Sequence, residues 1–417
     1  MSFKKLSVIG LGYIGLPTAV LFASKGLNVL GVDINESLIN ELNKGTTSIN
    51  EPDLDRLLSD SVESRKFSAA MTVAEADVFL IAVPTPFKMK DSSMPTPDLT
   101  FVHNAVSSIT PFLQKGNLVL LESTCPIGTT EEIAKIIQNE RPDLVVPSSI
   151  DSQSDISIAY CPERVLPGKI MEELVSNDRV IGGITNKCSK KAEEFYKLAI
   201  DGNSYLTDSR TAEMVKLAEN ASRDVNIAFA NELSMICEDS NINVWDLISM
   251  TNKHPRVNIL EPGPGVGGHC IAVDPWFLIS RFENKSKIMR SAREVNLDKE
   301  EWVINKINES IKEFKKTSND ITISCFGLAF KANVSDMRES PAHRIFSKLS
   351  AIHEGLVYAV EPNISNISEY PEIKFMSADE AISKSDIIVL LVNHNEFYSL
   401  EIPNGKKIID TRGIWRD

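Results

Sequence analysis

The 417-residue chain carries a net charge of −13 and a hydrophobic fraction of 42%. That length suits two or three domains with a substantial core. The acidic balance argues against a nucleic-acid-binding surface, and no apolar run reaches the length of a bilayer, so no membrane partner is expected. Cys125, Cys161, Cys188, Cys237, Cys270 and Cys325 are scattered without C-x-x-C spacing, which points to reduced thiols in a cytoplasm and away from a zinc site or other metal. The first residues run directly into an apolar stretch, so no signal peptide is expected.

Leu6 to Ile9 reads as a buried strand, and Leu16 to Lys25 as a helix ending near Gly26. Between them lies Gly10-Leu11-Gly12-Tyr13-Ile14-Gly15, the spacing of a dinucleotide-binding turn. Gly10 permits the tight turn, Gly12 lets backbone approach a pyrophosphate, and Gly15 lets helix and strand pack closely. A second strand, Asn28 to Val32, ends at Asp33, placing an acid about 20 residues past the first glycine, where a ribose-binding carboxylate belongs. A carboxylate there repels a 2′-phosphate, so NAD is expected over NADP.

Val78 to Val83 is a continuous apolar run that ends at Pro84-Thr85-Pro86, and Leu118 to Leu121 ends at Glu122-Ser123-Thr124. Thr85 and Thr124 thus fall at strand C-termini, where open α/β sheets bind ligands; ordinary turn chemistry is the alternative for each. Met89 to Asp98 reads as a polar, proline-containing loop. A strand-like Ile156 to Ala159 precedes Tyr160-Cys161-Pro162-Glu163-Arg164, where Glu163 is a candidate acid/base or a plain surface carboxylate.

From about Ser209 the character changes. Thr211 to Asp239 reads as one long helix, with Met214, Leu217, Ala218, Ala221, Val225, Ala228, Phe229 and Leu233 at helical spacing. Lys216 and Asn220, four apart, share a face, and Arg223 is nearby. A lysine and an amide donating to one point stabilise an oxyanion; a solvated polar face is the alternative. Thr251 to Gly268 is less regular and leads into Gly267-Gly268-His269-Cys270, with Asp274 four positions on. A thiolate attacks an aldehyde, and a nicotinamide cofactor then oxidises the adduct. Fingerprint and cysteine together point to an enzyme that oxidises an alcohol past the aldehyde, through a thioester, to an acid. Pro275 leaves a regular helix through this stretch unassigned. Helical patterns resume from Trp276 and again from Ser291 to Lys315.

Lys316 to Asp320 looks like a linker. Ile321 to Phe326 then opens a second strand-then-glycine unit at Gly327, followed by strands at Leu356 to Val360, Ile387 to Val392 and Lys407 to Ile409. In this part Lys331, Arg338 and Arg412 are candidates for phosphate or ribose contact. The expected fold is α/β, with two Rossmann-like parallel-sheet domains joined by a central helical region. The expected boundaries are 1–208, 209–315 and 316–417.

Across its full length the chain resembles the UDP-glucose/GDP-mannose dehydrogenase family. The marks are the N-terminal fingerprint, Cys161-Pro162-Glu163-Arg164, Lys216-x-x-x-Asn220, Gly267-Gly268-x-Cys270-x-x-x-Asp274, and Gly327-Leu328-Ala329-Phe330-Lys331 followed by Arg338-Glu339-Ser340. His254-Pro255-Arg256-Val257-Asn258 and the run from Pro262 to Cys270 resemble the amino-sugar branch. The resemblance implies an NAD domain, a central dimerisation region and a C-terminal UDP-binding domain. It implies NAD-dependent four-electron oxidation at C6 of UDP-N-acetyl-D-mannosamine, for surface-polysaccharide synthesis. UDP-N-acetyl-D-glucosamine is the alternative substrate, and a redox-sensing NAD-binding regulator is the alternative of another class.

By the same resemblance Cys270 is the nucleophile, Lys216 an acid/base or oxyanion-stabilising group, and Asn220 an amide donor. Asp274 helps activate water, and Glu163 matches a residue of thioester hydrolysis. Arg164, Val165, Arg223, His254, Arg256, Gly267, Lys331, Arg338 and Arg412, with Lys216 and Asn220, resemble substrate contacts. Tyr13, Ile14, Asp33, Thr85 and Thr124 resemble cofactor contacts beside the three glycines. A homodimer or higher homo-oligomer is expected.

Overall fold

The computed structural model describes residues 3–49, 51–89, 94–149, 153–268, 270–364 and 366–415. His269 of the glycine–cysteine motif and residues 90–93 of the expected loop lie outside them. Two compact units are present, Met1–Ala218 and Glu219–Asp417. Among the described residues no helix is long and apolar enough to cross a membrane.

In the first unit the described residues form the strands β1 (Lys5–Ile9), β2 (Asn28–Val32), β3 (Phe67–Ala70), β4 (Val78–Ile81), β5 (Phe87–Met89), β6 (Pro95–Pro97), β7 (Leu118–Leu121), β8 (Ser157–Tyr160), β9 (Arg179–Gly183) and β10 (Ser204–Asp208), the apolar runs among them. Eight of them form one sheet in the order β10-β9-β8-β7-β4-β1-β2-β3. β4 and β7 lie in its middle and are buried at every position, as a parallel strand covered on both faces must be. Register aligns the strand ends: Ile9 pairs with Val32 and Ile81, and Ile81 with Leu121. Gly10, Asp33 and the segments after β4 and β7 therefore emerge along one edge. One joint departs from a parallel sheet: β9 runs antiparallel to β8. Part of the expected loop, Pro95–Pro97, pairs with β5.

The helix Ser209–Asp239 spans the boundary between the units. Glu213, Leu217, Asn220, Asp224, Ala228 and Asn231 are buried along it and repeat at helical spacing. That stripe is largely polar, so each member needs a partner. Glu213 receives the N–H groups of Gly128 (2.5 Å) and Thr130 (2.8 Å) and the Thr130 hydroxyl (2.6 Å), at the start of the helix Thr129–Glu140.

In the second unit Asp224 Oδ1 accepts from Arg293 Nη1 (2.7 Å) and Asn296 Nδ2 (2.8 Å). Asn231 donates to Asn296 Oδ1 (2.9 Å) and accepts the Gly263 N–H (2.8 Å). The long helix is thereby tied to the helix Lys287–Glu313 and to the proline–glycine segment before Cys270. The helix Asp274–Arg281 starts with Pro275 in its first turn, where a missing N–H costs nothing. A four-stranded parallel sheet follows: β11 (Thr322–Phe326), β12 (Leu356–Val360), β13 (Ile387–Leu390) and β14 (Lys407–Asp410), in the order β12-β11-β13-β14.

Candidate active site

In the first unit Gly10 has a φ of +92°, and a Cβ there would lie 2.6 Å from the Ala82 carbonyl oxygen; only glycine fits both demands. A side chain at Gly12 would meet nothing within 4 Å, so backbone there is open to a ligand. The following helix, Gly15–Ser24, begins at Ile14 with no side chain capping it. Tyr13 beside it is 37% exposed. Asp33 directly follows β2; its Oδ2 accepts the Leu11 N–H (2.9 Å) and its Oδ1 the Asn35 N–H (3.0 Å). A carboxylate has about four acceptor positions, so capacity for ribose hydroxyls remains. Thr85 Oγ1 donates to the Thr124 carbonyl (2.6 Å), which joins the two predicted loop ends. These features fit a dinucleotide: open helix N–H groups for phosphate, a ribose acid, and flanking loops.

Lys216 Nζ donates to the Glu163 carbonyl oxygen (2.8 Å). The Glu163 side chain turns inward. Its Oε1 accepts the Arg164 N–H (2.7 Å), and Oε2 pairs with the buried Arg179. Arg164 in turn donates to the Asp178 carbonyl, and Val165 packs against the core. Glu122, at the end of β7, lies in the same buried cluster and accepts from the Tyr196 hydroxyl (2.8 Å). Burial, and then the charge of Glu163, push the Glu122 carboxyl up to about 7.

In the second unit Asn220 Nδ2 donates to Asp274 Oδ2 (2.5 Å), and Asp274 is 3% exposed. The Cys270 carbonyl accepts the Val273 (3.0 Å) and Asp274 (2.8 Å) N–H groups. Cysteine, carboxylate and amide are therefore held together by one turn and one hydrogen bond. Cys270 is partly exposed, whereas the other five cysteines are buried. Gly267 is walled in: a Cβ there would lie 2.6 Å from the Glu339 carbonyl oxygen and 3.2 Å from the Phe330 Cβ. Lys331 is half-buried in the loop after β11. Arg338 is exposed and grips Asp336 (2.6 Å). Arg412 lines a cavity of about 390 Å³ with Glu261, Asn393 and Tyr398.

Arg223, His254 and Arg256 are exposed, the last two in one turn where the Arg256 N–H reaches His254 Nδ1 (3.3 Å). Sequence reasoning missed Arg179, Glu213, Glu361 and His394. Of these only Glu361 had a signal, an acid after the second strand of a strand–glycine unit.

Residues 4–200 match the NAD binding domain of the UDP-glucose/GDP-mannose dehydrogenase family, residues 210–298 its central domain and residues 324–417 its UDP binding domain. UDP-N-acetyl-D-mannosamine dehydrogenase of Escherichia coli K12 is 50% identical, over 100% of both chains. An NDP-N-acetyl-D-galactosaminuronic acid dehydrogenase of Ralstonia nicotianae is 49% identical over 100% of this chain and 97% of its own length. Among solved structures, UDP-D-ManNAc dehydrogenase of Pyrococcus horikoshii superposes with a TM-score of 0.89 at 35% identity, over 99% of this chain and 96% of that one. The UDP-N-acetyl-mannosamine dehydrogenase Cap5O of Staphylococcus aureus gives 0.85 at 41% identity, over 99% and 96%. With all three family domains matched in order around an NAD fingerprint and a partly exposed cysteine, this chain belongs to the UDP-glucose/GDP-mannose dehydrogenases and is an NAD-dependent nucleotide-sugar dehydrogenase.

Proposed function

We propose that the protein oxidises UDP-N-acetyl-D-mannosamine at C6 to the uronate. The observation that carries the reading is the 50% identity to the Escherichia coli enzyme over both full lengths. The turn that ties Cys270 to Asp274, and the hydrogen bond from Asn220, agree with it. Bound along Gly10–Asp33, NAD supplies a two-electron acceptor for each of the two oxidations. Lys216 or a water beside it takes the C6 hydroxyl proton in the first, and Asn220 donates to the C6 oxygen as charge develops there. Cys270 Sγ then attacks the aldehyde and forms a thiohemiacetal; its carbon–sulfur bond keeps the aldehyde from escaping. The second oxidation leaves a thioester on Cys270. Water, steered by Asp274 and Glu163, adds to that carbonyl, the carbon–sulfur bond breaks, and the uronate and the thiol are released. For Glu163 this requires its carboxylate to leave Arg179.

Arg164, Val165, Arg223, His254, Arg256, Gly267, Lys331, Arg338 and Arg412 hold the UDP-sugar in this reading. Tyr13, Ile14, Thr85 and Thr124 border the cofactor. The parts 1–208, 209–315 and 316–417 serve cofactor, dimerisation and UDP binding, in a cytoplasmic enzyme that feeds surface-polysaccharide synthesis. Phe229, Ile236, Met250 and Ile288 are all more than half exposed in the central part, and a second copy would cover apolar side chains of this kind.

Near-equal identity to the galactosaminuronate relative makes that sugar configuration the competing reading. The test is the purified protein with NAD and the UDP-N-acetyl derivatives of mannosamine, glucosamine and galactosamine. Two NADH per UDP-N-acetyl-mannosamine, with slower turnover of the other two, is expected. One NADH with free aldehyde sinks the thioester route, and preference for another sugar sinks the substrate. Cys270→Ser is expected to lose acid formation by at least ~10²-fold, with NAD binding kept.

A further inference from the structure

Two buried ionisable side chains of the second unit have no part in this chemistry. Glu361 directly follows β12, and His394 follows β13 in the segment Val392–His394; both side chains are 0% exposed. Glu361 Oε2 accepts from the N–H groups of Leu328 (2.7 Å) and Ala329 (3.0 Å) and from His394 Nε2 (3.1 Å). Its Oε1 accepts the Asn363 N–H (3.1 Å). On the far side of the ring, His394 Nδ1 faces the Asn333 N–H (3.0 Å) and Asn363 Nδ2 (2.8 Å). A backbone N–H only donates, so Nδ1 is the acceptor. The ring is then neutral, with its proton on Nε2 aimed at Glu361. The pair therefore has one working arrangement, an anionic Glu361 ringed by donors and a neutral imidazole.

What these contacts hold is the loop that leaves β11. Gly327 and Asn333 both have left-handed backbones, with φ of +84° and +61°. Glu361 fixes the loop at Leu328 and Ala329, and His394 fixes it at Asn333. Lys331 lies between the two anchors. So does Phe330, whose ring underlies the glycines before the nucleophile: a Cβ at Gly268 would lie 2.9 Å from the ring. Gly267 and Gly268 thus rest on the loop, and Cys270 follows two residues later. A buried carboxylate costs stability unless hydrogen bonds compensate it, so an apolar side chain would serve packing alone as well. Here three of the hydrogen bonds, those from Leu328, Ala329 and Asn333, hold one loop.

We propose that Glu361 and His394 are a positioning pair, which sets Lys331 and, through Phe330 against Gly267-Gly268, the backbone that presents Cys270. This rests on the reading of Cys270 as nucleophile and Lys331 as substrate contact. The experiment compares the wild-type protein with His394→Phe, which keeps a ring and loses both nitrogens, and His394→Gln, which keeps an N–H donor for Glu361. The readouts are kcat, the KM values for UDP-N-acetyl-mannosamine and for NAD, and the rate at which iodoacetamide alkylates Cys270.

His394→Phe is expected to raise the sugar KM and lower kcat, each about tenfold, and to change the alkylation rate severalfold, with the NAD KM unmoved. His394→Gln is expected to recover part of each. A folded His394→Phe protein with wild-type sugar KM, kcat and alkylation rate overturns the proposal. Should that variant fail to fold, Glu361→Gln takes its place. The same shifts at smaller size support the pair, and wild-type values overturn it. Cys270→Ser run in parallel separates the two readings. If it makes acid at the wild-type rate, the nucleophile assignment fails, while the sugar KM of His394→Phe still decides whether the pair sets the Lys331 loop.

Discussion

The two large sheets begin with the same local device. β1 ends at Gly10, φ +92°, whose N–H bonds to Val32 at 2.8 Å; β11 ends at Gly327, φ +84°, whose N–H bonds to Val360 at 2.8 Å. In both, an acid follows the neighbouring strand and accepts the N–H of the residue after the glycine. Asp33 takes Leu11 at 2.9 Å and Glu361 takes Leu328 at 2.7 Å. The difference lies in what else reaches the acid. Asp33 is partly exposed and bonded besides to the Asn35 N–H. Glu361 is buried and ringed by Ala329, Asn363 and His394. One backbone motif thus leaves its acid open to solvent in one sheet and covered by a histidine in the other. Possession of a strand–glycine–acid unit does not by itself mean a bound dinucleotide.

Removing the acids one at a time is the hardest test of that contrast. Glu361→Ala strands three amide donors, two of them buried, and the imidazole N–H, and is expected to cost about 3–5 kcal/mol, read as a lower denaturant midpoint with NAD affinity unchanged. Asp33→Ala is expected to do the reverse. The NAD KM should rise ~10–100-fold, which is about 1.4–2.7 kcal/mol, discrimination against NADP should fall, and the midpoint should barely move. Equal losses of stability in the two variants would mean that both acids are braces.

A smaller effect separates two buried carboxyls, one in each sheet. For Glu361, burial pushes the carboxyl up, but the hydrogen bond from His394 and those from Leu328 and Asn363 hold it below its ordinary value. Its contribution to stability is present above the unfolded value of about 4.5 and is lost as pH falls through the folded one. Glu122 goes the other way, raised to about 7 by burial and then by Glu163. The folded protein binds the extra proton between 4.5 and about 7, so this contribution is full below 4.5 and is lost as pH rises through 7. Glu122→Gln is expected to flatten stability across that window by ~1–3 kcal/mol. Urea midpoints at pH 5 and pH 8 decide it: an unchanged slope would show that Glu122 is ionised throughout.

Local pattern carried much of this fold. β4 and β7 stood out because every residue in them is apolar, and β2 because it runs from a turn into Asp33. The long helix was visible from its spacing alone, and Cys270 from the glycines before it. The strands β9 and β10 were not visible. β9 contains two glycines and the ion-paired Arg179, and β10 leaves Tyr205 and Leu206 exposed at the edge of the sheet, so neither shows a core-facing run. The start of the helix at Asp274 was obscured by Pro275, which reads as a breaker in a helix interior and is at home in a first turn. The partners Glu163–Arg179 and Glu361–His394 are 16 and 33 residues apart. No periodicity connects them; only the folded sheet brings them face to face.

In an open α/β sheet several crossover helices begin at the same edge, and each offers spare N–H groups that attract phosphate. Two helices of the first unit show how differently such starts are used. The helix Gly15–Ser24 starts uncapped by any side chain, whereas Gly128 and Thr130, at the head of Thr129–Glu140, spend their N–H groups on the Glu213 carboxylate. That carboxylate fills the start of the second helix with the protein's own negative charge, where a bound anion would otherwise sit. Glu213→Ala is expected to free those N–H groups, read as weak binding of inorganic phosphate that leaves the NAD KM unchanged.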